Sequence, residues 1–161
     1  MDNVVLVRNC VLPLDLYYLV ESHIWIRPNP DNIVTLGFTD VAQTTAGSML
    51  TVSYRPIGKF YPRNKVVALV ESGKWLGALR TPIAGVLAAV NETLPLDAGL
   101  MNRSPYDKGW VVQIEPTNLK EDLTALKTGD EALVAYETVM IEKNLDDCIH
   151  CEGYEFPEGI T

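Results

Sequence analysis

Positive charge is what this chain has little of. Its 13 lysines and arginines are spread along the sequence against 21 acidic residues, a net charge of −8, whereas nucleic-acid binding needs clustered cations to neutralise phosphates. No nucleic-acid partner is expected. Long apolar runs are also missing, so nothing predicts a membrane span. Asp2, Arg8 and Asp15 interrupt the N-terminal stretch that a signal peptide would keep apolar, and a cytoplasmic location is expected. No paired carboxylates, Ser–His or Cys–His arrangement or phosphate-binding glycine loop stands out, so the chain is not expected to be an enzyme by itself. Cysteine is scarce, with Cys10 alone and then Cys148 and Cys151 in the tail Cys148-Ile-His-Cys151. A CxxC pair can be a redox dithiol or half of a metal site, but a metal needs further ligands. No metal site is therefore expected, and Cys148 and Cys151 are candidate redox thiols.

What is present is ordinary globular material. The 161 residues are 47% hydrophobic and 21% charged, enough for one domain that buries about two-thirds of its unfolded surface. That domain is expected to take in residues 1–161, with its core at about 14–136 and a C-terminal helix and CxxC tail at 128–161. The acidity favours a monodisperse protein and can steer it towards basic docking surfaces.

The chain is organised around Val66–Gly85. Two apolar, β-prone runs, Val66–Ser72 and Trp75–Arg80, are separated by Gly73 and Lys74. A two-residue Gly-X loop predicts a type II′ hairpin, with Gly73 at positive φ and Lys74 projecting from a rigid tip. The apolar period on either side of the tip is not clean. Upstream, apolar residues at Leu12, Leu16, Leu19 and Val20 predict a short helix over Leu12–Ser22. A hairpin of His23–Arg27 and Ile33–Phe38 follows, then a helix with Thr39 as N-cap and Gly47 as C′. Ser48–Tyr54 reads as a strand, Arg55–Asn64 as a loop, and Val86–Val90 and Trp110–Ile114 as strands flanking a long packed connection. Thr117–Leu126 reads as a helix, and Thr128 to Glu131 as a capping box for a helix over Leu133–Leu145, with Leu133, Tyr136 and Met140 facing inward. Many short strands between turns predict a mainly β barrel or sandwich with terminal helices.

Taken with the ESxK stretch, the Pro82–Gly85 turn, His23 and Trp25 upstream and Asn102–Trp110 downstream, the chain resembles the H proteins of the glycine cleavage system from about Leu14 to about Tyr136. The resemblance implies a flattened barrel-sandwich hybrid. It also implies a lipoyl group in amide linkage on Lys74, a carrier role among several enzymes, and a lipoate ligase or lipoyl synthesis enzymes as partners. Biotinyl carriers flank their lysine with methionines, whereas here the neighbours are Gly73 and Trp75, and Glu71 and Ser72 match the lipoyl pattern. Glu71 reads either as a solvated strand-end charge or as a contact for the lipoylating enzyme. His23 reads either as lining the cleft that shelters the arm or as a hydrogen-bonded histidine at a strand start. Asn102, Pro105, Tyr106, Gly109 and Trp110 match an N-x-x-P-Y-x-x-G-W pattern and read as structural.

Two features depart from an ordinary H protein. Glu71-Ser-Gly-Lys-Trp-Leu-Gly77 and the opening Asn9–Trp25 look like the lipoate-binding proteins of sulfur oxidation, which act with a heterodisulfide-reductase-like complex and sulfur transferases. The other departure is the CxxC tail. The expected role is therefore a lipoyl carrier of a sulfur intermediate. The alternative is a glycine cleavage H protein carrying an aminomethyl group among the glycine cleavage enzymes, and a third is an unmodified lipoyl-like scaffold.

Overall fold

The computed structural model describes residues 4–157. The first three and last four residues of the expected domain, Asp2 among them, lie outside the described residues. The chain opens with a hairpin of β1 (Val4–Val7) and β2 (Cys10–Pro13). Its tip residues Arg8 and Asn9 have φ of 50° and 70°, the left-handed pair that a type I′ turn demands. The predicted helix over Leu12–Ser22 is not formed. In its place stand β2, β3 (Tyr17–Leu19) and one 3-10 turn at Val20–Ser22. The physical reason is pairing. Tyr17 lies opposite Ile26 and Tyr18 opposite Trp25 in an antiparallel ladder, and the Tyr18 hydroxyl donates to the Pro13 carbonyl. Such contacts override helical spacing that four apolar positions specify weakly.

β4 (Ile24–Pro28) and β5 (Val34–Phe38) form the predicted hairpin. In α1 (Asp40–Ala46), the Thr39 hydroxyl caps the helix by accepting from Ala42 N, and Gly47 ends it at φ 76°. There follow β6 (Met49–Tyr54), β7 (Phe60–Tyr61), β8 (Val66–Ser72), β9 (Leu76–Arg80) and β10 (Gly85–Val90). β7 lies inside the predicted Arg55–Asn64 loop, where two residues pair with Gly85 and Val86. The long connection holds α2 (Leu100–Arg103), and the chain continues through β11 (Val112–Pro116), α3 (Leu119–Leu123), β12 (Lys127–Thr128) and α4 (Gly129–Glu142). The capping box at Thr128 is not made, because its hydroxyl donates to Leu16 O at 2.7 Å and ties α4 to the N-terminal segment.

A seven-stranded antiparallel sheet, β12-β3-β4-β5-β11-β10-β7, faces a three-stranded one, β6-β8-β9. Between them lies an inner core of Leu36, Val67, Val70, Leu79, Leu87 and Ile114, the mainly β barrel-sandwich that was expected. A bulge between Val66 and Ala68 explains the unclean period of the central hairpin, since one extra residue puts Val67 and Ala68 both inside. β4 serves two cores by alternation: Ile24 and Ile26 enter the inner one, and Trp25 enters an outer one. The outer core joins Leu12, Leu16 and Tyr18 to Ala132, Tyr136 and Met140 of α4. Tyr136 and Met140 thus face inward as expected, while Leu133 is half-buried at the edge.

Candidate functional site

The tip of the β8–β9 hairpin presents Lys74, exposed and without an ion pair or side-chain hydrogen bond among the described residues. The predicted type II′ turn is corrected, because Gly73 does not adopt positive φ. Ser72 closes the turn instead: its backbone N donates to Trp75 O at 2.7 Å, and its hydroxyl, 3.4 Å from Lys74 N, accepts from that amide. A serine hydroxyl used this way mimics a backbone turn, so the left-handed freedom of glycine is not needed. A methyl group at Gly73 would meet nothing within 4 Å. Glu71 is exposed on the outer face, beside its cross-strand neighbour Leu76, and accepts from Thr51 Oγ1 at 3.4 Å.

Trp75 turns the other way. Residues 75, 77 and 79 share the face that carries buried Leu79, and the indole lies down over Gly77, in space that any side chain at 77 would fill. Its ring meets Phe38 edge-on at 6.0 Å between centroids. Together with Ser22, His23, Ala42 and Thr45 it encloses a cavity of about 40 Å³. The Nδ1 atom of His23 is buried without a hydrogen-bond partner among the described residues. Burial pushes the His23 pKa down to about 4, with Lys143 adding to the effect, so the ring is neutral at pH 7. Its backbone is left-handed at φ 57°, and its carbonyl accepts from Thr39 N at 2.9 Å where α1 begins.

Beside the lysine runs an open apolar groove of about 280 Å³, lined by Ala46, Gly47, Ser48, Leu50, Gly73 and Lys74, which meets the smaller cavity at Ala46. Leu50 is the extra residue of a second bulge, between Met49 and Thr51, and stands 59% exposed. A methyl group placed on Gly47 would lie 3.4 Å from Lys74 Cε, so the lysine stem already runs over the end of α1. Asn102 braces this end from below. Its Oδ1 accepts from Met49 N and its Nδ2 donates to Gly47 O, both at 2.8 Å. Of the other pattern residues, Pro105 O accepts from Trp25 Nε1 at 2.8 Å. Gly109 is forced by close approach, since a side chain there would strike the carbonyls of Leu100 and Ser104. Trp110 is half-buried against the outer core.

The tail thiols are corrected as well. Cys148 is bonded to Cys10, with Cα atoms 4.9 Å apart, and Cys151 is free and exposed. The tail is guided there by the N-terminal hairpin: Cys148 N donates to Arg8 O at 3.0 Å and Arg8 pairs with Asp147 at 2.9 Å. Between the cysteines, His150 Nε2 donates to Oδ2 of Asp40 at 2.6 Å. Asp40 is fully buried and also accepts from Val11 N and Gln43 Nε2, each at 2.8 Å. This clamp was not legible beforehand, because Asp40 reads in sequence only as a first-turn acid of α1. In the sequence the groove residues Gly47 and Leu50 likewise appear only as a helix end and a strand residue.

An unpaired amine on a rigid hairpin, with an apolar channel beginning at its own stem, suits an aliphatic acyl group ending in a dithiolane. The lipoyl group implied by the sequence therefore fits these residues. A biotin ring would need several polar partners, and the groove offers only Ser48 besides the lysine itself.

The family model described as glycine cleavage H-protein matches residues 16–139. "Glycine cleavage system H protein 2" of Aquifex aeolicus is 42% identical over 126 residues, 78% of this chain and 78% of that protein. "Glycine cleavage system H protein 3" of the same organism is 38% identical over 151 residues, covering 89% and 91%. The crystal structure of a glycine cleavage system H protein from Mycobacterium marinum superposes with a TM-score of 0.68 at 27% identity, over 77% of this chain and 98% of that one. H proteins are non-catalytic carriers that hold lipoate covalently on a lysine. The chain belongs to the glycine cleavage H-protein family.

Proposed function

We propose that Lys74 is the lipoyl attachment site of a single carrier domain, and that the chain serves as an H protein conveying an aminomethyl group among the glycine cleavage enzymes. The observation that carries this reading is the exposed, unpaired Lys74 at a hairpin tip inside a family match spanning residues 16–139. When bound, lipoate supplies a dithiolane whose two sulfurs can be reduced and loaded. The chain's own residues do the rest. Ser72 holds the tip, Asn102 fixes the end of α1 beneath it, and the rigid sandwich keeps the tether at high effective concentration for whichever enzyme docks. Glu71 and Leu76, side by side on the outer face, present one charge and one apolar contact to a lipoate ligase or lipoyl synthesis enzymes. The proposed compartment is the cytoplasm. Among the described residues no helix is long and apolar enough to cross a membrane. Cys10 at 1% and Cys148 at 5% exposure are shielded from the thiols of that compartment.

A second reading assigns a sulfur intermediate as cargo, passed among a heterodisulfide-reductase-like complex and sulfur transferases. One observation favours it: the groove beside Lys74 has no carboxylate to pair with a cationic aminomethyl group. Intact-mass and peptide analysis of native protein, without reductant, tests both. Lipoate on Lys74 that accepts label from glycine with glycine decarboxylase supports the first. Extra sulfur on that peptide, with no response to glycine, replaces it with the second. Unmodified lysine throughout removes the carrier and leaves a lipoyl-like scaffold.

A further inference from the structure

The fold gathers cations that are scattered in the sequence. Residues 41–91 hold six of the 13 lysines and arginines and one acid, Glu71, leaving seven cations and twenty acids elsewhere, a balance of +5 against −13. The β8–β9 hairpin turns this segment back on itself. One end of the hairpin carries Lys74, and the other is closed by Thr81 N donating to Lys65 O at 2.9 Å and Asn64 N donating to Thr81 O at 2.7 Å. Arg55, Arg63, Lys65 and Arg80 are exposed at that closed end. The seven residues of β8, about 23 Å of strand, separate them from the tip. Where the closed end meets the segment after α3 lies a groove of about 350 Å³. Arg63, Asn64, Arg80 and Thr81 supply its polar lining, Leu19 and Leu126 are among its apolar residues, and no carboxylate lines it. We propose that this groove is a docking site for a short acidic segment of a partner protein, glutamates or aspartates beside an apolar residue, which holds the chain by the end opposite Lys74.

Three observations carry the assignment. The first is that both arginines are oriented but not used up. Arg63 Nε lies 3.5 Å from Oδ1 of buried Asp122, and Arg80 Nη1 donates to Asn64 O at 3.2 Å. A guanidinium has five N–H donors, so most of each fork remains for a planar carboxylate. The second is uncompensated charge. Arg55, Lys65 and Arg80 make no ion pair among the described residues, and Asp122 also accepts from Ala84 N at 2.9 Å. The third is a backbone fixed beforehand. Asn64 is held left-handed at φ 73°, and Lys65 N donates to Pro62 O at 3.3 Å, so little order is lost on binding. The occupant is short because the cationic end is. Glu115 and Glu121 are exposed on neighbouring β11 and α3, and screening confines the attraction to about 8 Å. A long polyanion or a flat anionic membrane would run on over the acidic remainder of the chain. A short segment ends before reaching it, and Leu19 and Leu126 receive an apolar side chain that a phosphate backbone does not have.

The test uses the full chain and a blocked peptide of glutamates around one leucine. In wild type the peptide should bind saturably and shift the amide resonances of Leu19, Asn64, Thr81 and Leu126, while those of Gly73 and Lys74 stay still. Affinity should weaken as salt rises, and by about tenfold for each arginine lost in Arg63→Gln, in Arg80→Gln and in the two combined. Arg80→Gln disturbs no buried partner, so it tests the groove independently of the Arg63 pair with Asp122. Lys108→Gln combined with Lys143→Gln removes the same charge elsewhere and should leave affinity within about twofold, because distant exposed charges are screened. Shifts centred on another face, an equal loss in the lysine control, or no saturation would overturn the site. Tighter binding of a single-stranded oligonucleotide or of phosphatidylglycerol vesicles than of the peptide would overturn the acidic segment as its occupant. Binding that persists in Lys74→Arg separates this surface from the carrier reading, whereas its loss there would place the peptide at the tip and overturn the groove.

Discussion

The β1–β2 and β8–β9 hairpins have opposite fates. β1–β2 carries no glycine, yet its Arg8–Asn9 tip adopts the left-handed turn, and everything around it is tied down. Cys10 is bonded to Cys148, Arg8 pairs with Asp147, and Val11 N donates into the buried Asp40 carboxylate. β8–β9 has glycine at its tip, does not use its left-handed freedom, and leaves Lys74 free. One hairpin is locked by its surroundings, whereas the other is rooted in the inner core and open at its end. A residue that must be reached by other enzymes belongs on the second kind.

The sharpest way to break the contrast is to unlock the first hairpin. Cys10→Ser should lower stability by about 5 kcal/mol, the chain-entropy value for so long a loop. Urea titration would measure it, with Cys151→Ser near zero as the control. Next in size is Asp40→Ala, which strands Val11 N, Gln43 and His150 together. It should cost about 4 kcal/mol and be read as a fall in Tm, with lipoylation of Lys74 intact.

His23 joins the two regions, since its ring stacks on Tyr136 of α4 at 6.1 Å and also lines the cavity under Trp75. Its folded pKa, about 4, lies below the ordinary 6.5. Its contribution is therefore complete above about pH 6.5 and is lost as pH falls towards 4, amounting to no more than about 3 kcal/mol. Denaturant midpoints measured from pH 7 to 4 should drop more in wild type than in His23→Asn, a residue that tolerates the left-handed backbone. The smallest effect belongs to Gly73→Ala, which should stay within about 0.5 kcal/mol of wild type and still accept lipoate. A large loss there would mean that the tip needs glycine after all.

The same contrast separates what could be read in the sequence from what could not. The β8–β9 hairpin, α1 between Thr39 and Gly47, and the β4–β5 pair are local, each announced by a cap, a turn or an alternation within a few residues. The outer core is not local. Tyr17 and Tyr18 are strand residues only because Ile26 and Trp25 lie opposite them. Cys148 finds Cys10 rather than Cys151 only because the tail crosses the Arg8 turn. An exposed lysine at a hairpin tip was legible in Gly73-Lys74 between two apolar runs. The groove beside it depends on a bulge at Leu50 and the His23 cavity on Trp75 lying on Gly77, and neither arrangement leaves a periodic trace.

The bond between Cys10 and Cys148 also changes the connectivity of the molecule. It closes a covalent ring across a separation of 138 residues, and both sheets, the long connection and the lysine tip are threaded on that ring. A protease that cuts one exposed loop inside it opens the ring but frees no fragment. The nicked chain would still migrate as one piece until a reductant is added.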